Sequence, residues 1–171
     1  RQLIANPDDA AASPFGWHDN NGIAGAEYTI TRGNNVHAYA DKDANNAVDA
    51  NSSPDGSASL TFDYNLNFNT QLDTFNTTGT LTNSKAIVTQ LFYMNNIMHD
   101  IFFKYGFTES SRNFQQKNYT NVPGGTDYVW AEAHDGSGTN NANFATSADG
   151  QNSAFSRSRM QMFMWDGAPP V

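Results

Sequence analysis

The sequence contains no cysteine, and only 15% of its residues are charged. The absence of cysteine excludes disulfide bonds, thiolate metal sites and a cysteine nucleophile. Nine Lys and Arg stand against 17 Asp and Glu, which gives a net charge of −8. Because affinity for nucleic acids comes mostly from neutralising phosphates, no nucleic-acid partner is expected. No apolar run approaches the roughly 18 residues of a transmembrane helix, so no membrane partner is expected either.

What the sequence does contain is sufficient for a folded core. It has 171 residues, of which 38% are hydrophobic and 13% aromatic, including 12 Phe. That length suits one domain with a substantial buried interior. The polar residues are mostly Asn, Ser, Thr and Gly, a composition typical of secreted proteins rich in loops. The chain begins with Arg1, so we expect that a signal or pro-segment was removed or that the chain starts internally.

Alternation of apolar and polar residues predicts several strands after an irregular lead-in over residues 1–26. The clearest alternation covers residues 60–68, where Leu60, Phe62, Tyr64, Leu66 and Phe68 share one side. Residues 69–82 are predicted to be a loop, and residues 166–170 are predicted to end the last strand. The other predicted strands are residues 27–31, 36–39, 128–133 and 159–165.

One long helix is predicted over residues 84–105, where apolar residues recur with helical spacing. Asn83 or Ser84 is placed to cap its start, and Gly106 to end it. The apolar positions extend most of the way round the helix, which predicts that it is buried. The predicted fold class is therefore α+β, a twisted and mostly antiparallel sheet with one long buried helix.

A short acidic segment carries oxygen ligands at alternating positions, as calcium loops do. These residues are Asp41, Asp43, Asn45 and Asp49. The segment lacks the Gly and the final Glu of an EF-hand loop, so a solvated acidic turn is the favoured interpretation and a calcium loop is the alternative.

The four histidines form no helical zinc pair, because no two of them are four residues apart. His99 is predicted to be a hydrogen-bonded residue of the packed helix. No nucleophile motif of the Gly-x-Ser-x-Gly type is present, and Glu132 stands as a lone acid on a predicted strand. Residues 139–144 (TNNANF) combine side-chain amides with a small residue and an aromatic. They form either an ordinary Asn-rich loop or an edge that pairs with an extended peptide.

Six sequence blocks carry a resemblance that covers residues 13–165. They are PFGWHD (14–19), TRGNNVHAY (31–39), LFYMNNIMHDIFFKYGF (91–107), NFQQKNY (113–119), AEAHDGSGTNNANFAT (131–146) and RMQMFMW (159–165). Together they resemble the fungalysin family of secreted zinc metallopeptidases, which is related in fold to thermolysin. The family's His-Glu-x-x-His motif and its downstream Glu ligand are absent from these 171 residues. The chain thus resembles only the amino-terminal half of a fungalysin catalytic unit, and it supplies no zinc ligand.

The resemblance implies that residues 1–171 form the amino-terminal lobe, with substrate-edge strands within residues 128–165. Asn141 and Ala142 match the strand-edge segment that binds the substrate backbone, with Asn140, Asn143 and Phe144 as neighbours. The implied function is the substrate-binding lobe of a secreted zinc metalloendopeptidase, in which zinc-activated water cleaves the peptide bond. Its implied partners are the carboxy-terminal half of the peptidase and an extended peptide substrate. Alone, this chain is expected to be inactive.

Two other classes of function stay open on the sequence. The first is a non-catalytic extracellular module for binding or assembly, derived from such a lobe. The second is an extracellular adhesion module stabilised by calcium at residues 41–49.

Overall fold

The structure is a computed structural model that describes residues 2–67, 83–153 and 156–165. Its regular elements confirm an α+β fold. They are β1 (Val36–Ala40), α1 (Ser84–Lys104), β2 (Val129–Thr139), β3 (Ala142–Ala145) and β4 (Arg159–Met164). A single 3-10 turn occupies Glu109–Ser111. The predicted loop at 69–82, the predicted end of the last strand at 166–170 and Phe68 lie outside the described residues.

The four strands form one sheet in the order β1-β2-β4-β3. β1 with β2 and β2 with β4 are parallel pairs, and only β3 with β4 is antiparallel. The expectation of a mostly antiparallel sheet was therefore wrong. α1 lies between β1 and β2 in the chain, and a helical crossover returns the second strand in the direction of the first. β4 then enters the sheet between β2 and β3.

The two faces of this sheet differ in chemistry. One face carries Ala38, Ala131 and Ala133, which form a core with Trp17, Val36, Val88, Phe92 and Val129. Small alanine side chains allow α1 to lie close against the strands. The opposite face carries His37, Tyr39, Trp130, Glu132 and Gln161, as the strand register and the alternation of side chains require.

The helix forms where the sequence predicts it, within one residue at its end. Its sheet-facing side is buried through every fourth residue, Val88, Phe92, Asn96 and Asp100. The prediction that the helix is buried nearly all round was wrong, because the opposite side is exposed and apolar. Tyr105 is 86% exposed, and Met94, Met98, Ile101 and Phe102 are between 39% and 48% exposed. In the described part of the chain, no helix has the length and apolar character needed to cross a bilayer.

Two predicted strands are absent from the described residues. Residues 27–31 contribute only a single bridge from Ile30 to Asp55. Residues 60–67 contain no strand, although their alternation has a physical cause. Phe62 stacks on His18 with ring centroids 5.4 Å apart, and the Tyr64 hydroxyl donates to the Asp55 carbonyl. Alternate side chains are thus held by packing without a neighbouring strand.

The lead-in before residue 27 is irregular, as predicted, and one buried carboxylate fixes it to the helix. Asp100 on α1 accepts hydrogen bonds from the Trp17 indole and from the Ser13 hydroxyl, both at 2.8 Å. It also accepts from the Asp9 backbone N–H and contacts His99 Nδ1, both at 2.9 Å. Three partners from the lead-in and one from α1 therefore converge on a single side chain.

Candidate functional site

The strand β3 forms an open edge of the sheet. Among the described residues its only strand neighbour is β4, and all four of its residues are exposed. An edge strand of this kind offers unpaired backbone N–H and C=O groups to another extended chain. The sequence left residues 139–144 open between an Asn-rich loop and such an edge, the family resemblance implied the edge, and neither predicted that β2 would extend to Thr139.

The turn before β3 sets which backbone groups face outward. Asn140 adopts a left-handed conformation with φ of 55°, and its N–H donates to the Met164 carbonyl. The chain thereby passes around the end of β4. Next, the Asn141 carbonyl accepts from the Phe163 N–H at 3.2 Å. Because antiparallel pairs alternate between bonded and non-bonded, Ala142 and Phe144 direct their backbone groups away from β4.

The side chain of Asn141 lies over this free edge. Its Oδ1 accepts the Ala142 N–H at 2.8 Å, an N–H that points away from β4. Phe144 lies on the side of the sheet that faces the helix and is 43% exposed. Its ring contacts Phe114 edge-on at 5.7 Å, and Phe114 contacts Phe107 at 5.8 Å. The edge thus combines backbone groups, an amide and an aromatic surface, which are the groups that recognise an extended peptide.

The polar face of the sheet holds a second grouping, the acidic cluster, formed by Asp41, Glu132 and Asp135. All three residues are fully buried, and one carboxylate oxygen from each lies within 4.8 Å of the others. A register shift between Ala133 and Asp135 makes a bulge at His134, whose φ is 52°. The extra residue turns Asp135 to the face that carries Glu132.

Burial disfavours negative charge on two members of the acidic cluster. Burial raises the pKa of Glu132 to about 7 and that of Asp41 to about 6. Glu132 Oε1 accepts from the Tyr39 hydroxyl at 2.6 Å. Asp135 accepts from Gln161 Nε2 at 2.6 Å and from the Ser137 N–H at 2.7 Å. Glu132 is therefore not the lone acid that the sequence indicates.

Of the four residues of the predicted calcium loop, only Asp41 belongs to this cluster. Its two oxygens accept the backbone N–H groups of Asn45 and Asn46 at 3.2 and 3.0 Å. Asp43 accepts from the Asn45 side-chain amide at 2.8 Å, and Asp49 is exposed. The structure thus brings Asp41 to Glu132 and Asp135, while the other three side chains lie at the surface.

The histidines do not converge with other ligand residues. Among the described residues, the acidic cluster is the only group of three or more His, Cys, Asp or Glu side chains placed to share a metal. A peptidase zinc site needs imidazole ligands, so these residues do not fit a catalytic zinc. His99 is partly buried and lies between Asp100 and Asn113, at 2.9 and 3.2 Å, in accord with the predicted hydrogen-bonded role.

Comparisons with known proteins agree with this picture. A family model described as "Fungalysin metallopeptidase (M36)" matches residues 1–171. The chain is 39% identical to extracellular metalloproteinase 2 of Arthroderma benhamiae over 94% of its own length and 23% of the relative's. It is 40% identical to extracellular metalloproteinase 2 of Trichophyton rubrum over 92% and 22% of the two lengths. It is also 39% identical to extracellular metalloproteinase 5 of Arthroderma otae over its full length and 24% of that protein. The chain thus spans less than a quarter of these curated relatives.

Proposed function

The chain belongs to the fungalysin metallopeptidase family, and we propose that it forms the substrate-binding lobe of a secreted zinc metalloendopeptidase. The observation that carries this proposal is the open, fully exposed edge of β3. An extended peptide adds to such an edge as one more strand, with main-chain hydrogen bonds supplying affinity. Secretion is proposed from the relatives, which are named extracellular metalloproteinases.

Asn141 and Ala142 bind the peptide backbone in this proposal. The Ala142 backbone points away from β4, so its carbonyl is directed toward an incoming N–H. The Asn141 amide holds the Ala142 N–H at 2.8 Å and exchanges that bond for one to the substrate. Asn140, Asn143 and Phe144 flank these contacts, with Phe144 offering apolar surface to a substrate side chain.

In this proposal, residues outside positions 1–171 carry out the cleavage of the peptide bond. The family name implies a metal, and zinc supplies water activation in such enzymes. Since the described residues do not fit a catalytic zinc, this chain contributes substrate binding and orientation only. Its partner is then the remainder of the peptidase. The matched region makes up 23% of one relative's length, so that protein is more than four times as long.

The exposed apolar side of α1 is the proposed contact for that remainder. Met94, Met98, Ile101, Phe102 and Tyr105 recur at helical spacing and are all exposed. A groove of about 920 Å³ also opens between α1 and the end of β4, lined by Leu91, Met94, Met162, Met164 and Trp165. Contiguous apolar surface of this kind is typical of a face that another polypeptide covers.

Replacing Asn141 with alanine is expected to weaken substrate binding in the complete enzyme. Loss of one orienting hydrogen bond corresponds to about 1 kcal/mol, so kcat/KM should fall roughly 3- to 10-fold with a higher KM. The measurement is steady-state hydrolysis of a fluorogenic peptide alongside a thermal melt. Gln151→Ala, an exposed amide on the loop before β4, is the matched control and should leave both quantities unchanged. Unaltered peptide kinetics for Asn141→Ala would refute the role assigned to this residue.

A charged substitution on α1 tests the proposed contact with the rest of the enzyme. We expect Met98→Glu to change the stability of the isolated chain by less than about 0.5 kcal/mol, because Met98 is exposed there. In the complete enzyme the same change buries a charge and should cost about 2 kcal/mol or more. Chemical denaturation of both forms measures the difference. Ile23→Glu, at another exposed apolar residue, is the control, and equal effects of Met98→Glu in both forms would contradict the contact.

A further inference from the structure

The acidic cluster is not used by the proposed substrate edge. Asp41 follows β1 directly, Glu132 lies within β2, and Asp135 lies just past the bulge. Three carboxylates from β2 and the segment after β1 therefore meet in the interior, with an oxygen of each within 4.8 Å of the others. From this geometry we propose that Asp41, Glu132 and Asp135 bind a calcium ion.

One buried oxygen in the cluster has no hydrogen-bond donor. Glu132 is 0% exposed, and its Oε2 is without a hydrogen-bond partner although Oε1 receives the Tyr39 hydroxyl. The nearest cationic atom is Arg159 Nε at 3.7 Å, which is beyond hydrogen-bonding distance. A buried carboxylate oxygen in this state is costly unless it is protonated or a cation satisfies it.

The donor set selects the class of cation. All three ligands are carboxylates, and hard oxygen donors suit Ca²⁺ or Mg²⁺ rather than zinc or copper. Mg²⁺ demands near-ideal octahedral geometry and keeps several water ligands, whereas Ca²⁺ accepts carboxylates in flexible geometry. A buried site of three carboxylates therefore favours Ca²⁺.

Two arginines lie near the acidic cluster. Arg159 approaches Glu132 to 3.7 Å. Arg157 donates to the Asn46 carbonyl and lies over the Trp130 ring at 4.1 Å from its centroid. A calcium ion would add positive charge beside Glu132, which Arg159 approaches without reaching hydrogen-bonding distance.

The site would also hold together the elements that lead to the substrate edge. A Cβ added to Gly136 would come 2.0 Å from the Lys42 carbonyl oxygen, so the bulge of β2 and the segment after β1 are in close backbone contact. The Gly136 N–H donates to the Asp41 carbonyl at 2.9 Å. An ion at Asp41, Glu132 and Asp135 would fix this junction, whose Gly136 lies four residues before the turn at Asn140.

The test uses the complete, inhibitor-bound enzyme freed of calcium by gel filtration, with CaCl₂ or MgCl₂ then added. Saturating Ca²⁺ is expected to raise Tm by about 5 °C or more, and Mg²⁺ should raise it much less. Tb³⁺ provides a second readout, because Tyr39 and Trp130 are adjacent aromatic sensitisers with centroids 6.0 Å apart. Tb³⁺ luminescence should appear on binding and be displaced by Ca²⁺.

Variants locate the ion. Glu132→Gln and Asp135→Asn should lose both the Tm increment and the Ca²⁺-displaceable luminescence, whereas Asp43→Asn and Asp49→Asn should keep them. Retention of both signals in Glu132→Gln, or their loss in Asp49→Asn, would overturn the proposal by placing the ion elsewhere. Absence of both signals in the unaltered enzyme would overturn it as well. If Glu132→Gln fails to fold, Asp41→Asn and Asp135→Asn make the same distinction.

Discussion

Replacing Asp100 with alanine is expected to lower the free energy of unfolding by about 3–5 kcal/mol, the cost of disrupting a buried, multiply bonded carboxylate. Asp100 is 4% exposed. Its carboxylate accepts hydrogen bonds from Ser13, Trp17 and the Asp9 N–H and contacts His99 Nδ1. Its removal leaves buried donors without an acceptor and frees the lead-in from α1. Urea denaturation followed by Trp fluorescence measures the loss.

The pH dependence of stability gives an independent check on the same carboxylate. Burial alone would raise the pKa of Asp100, but hydrogen bonds from His99, Asp9, Trp17 and Ser13 outweigh it and lower the pKa below 3.8. The stability that this group contributes is therefore present above its unfolded pKa and is lost as pH falls through the folded value. Asp8→Asn, on the same lead-in, is the control and should behave as the unaltered chain. A stability loss for Asp100→Ala of less than about 1 kcal/mol would contradict the assigned role.

The second large effect is expected from His37 on acidification. Burial, followed by the nearby charge of Arg32, lowers the pKa of His37 from 6.5 to about 3. The unfolded chain therefore binds a proton between these values that the folded chain excludes. Its contribution to stability is complete above pH 6.5 and disappears as pH falls toward 3. The shift from 6.5 to about 3 corresponds to about 5 kcal/mol at the acid limit.

The substitution His37→Gln separates the effect of His37 titration on stability from that of the buried carboxyl groups, whose raised pKa values act in the opposite direction. His37→Gln keeps a polar partner for the Ser53 hydroxyl, which lies 3.0 Å from His37 Nε2, and it removes the titration. The difference in unfolding free energy between variant and unaltered chain should then change steadily between pH 6.5 and 3. Parallel stability curves for the two proteins across that range would show that His37 does not titrate as described. His134→Gln, at a second buried histidine, is the comparison variant.

The sequence predicts those elements whose signal is local. The helix from Ser84 and the strands near Val36, Val129 and Arg159 follow from spacing and alternation, and the structure confirms them. The strand predicted at residues 60–67 does not form. Alternation indicates which side chains are partly covered by the rest of the chain, and it does not show whether a partner strand exists. The parallel pairing escaped prediction because it depends on where the α1 crossover returns the chain, which is a property of the whole fold.

The peptide edge and the acidic cluster also differ in how far the sequence predicts them. The peptide edge lies within one contiguous segment, Asn140–Phe144, and its assignment came through family resemblance. The acidic cluster joins Asp41 to residues more than 90 positions away through parallel pairing of β1 and β2. It also depends on the bulge at His134 to turn Asp135 toward Glu132. Neither feature has a signature in a single sequence, so Glu132 was read as an isolated acid.

The most direct test of the substrate-binding lobe is a crystal structure of the complete enzyme with a non-hydrolysable extended peptide. We expect the peptide to run antiparallel to β3 and to form hydrogen bonds with the Asn141 amide and the Ala142 backbone. A peptide bound to another surface, with the β3 edge left unpaired, would contradict it.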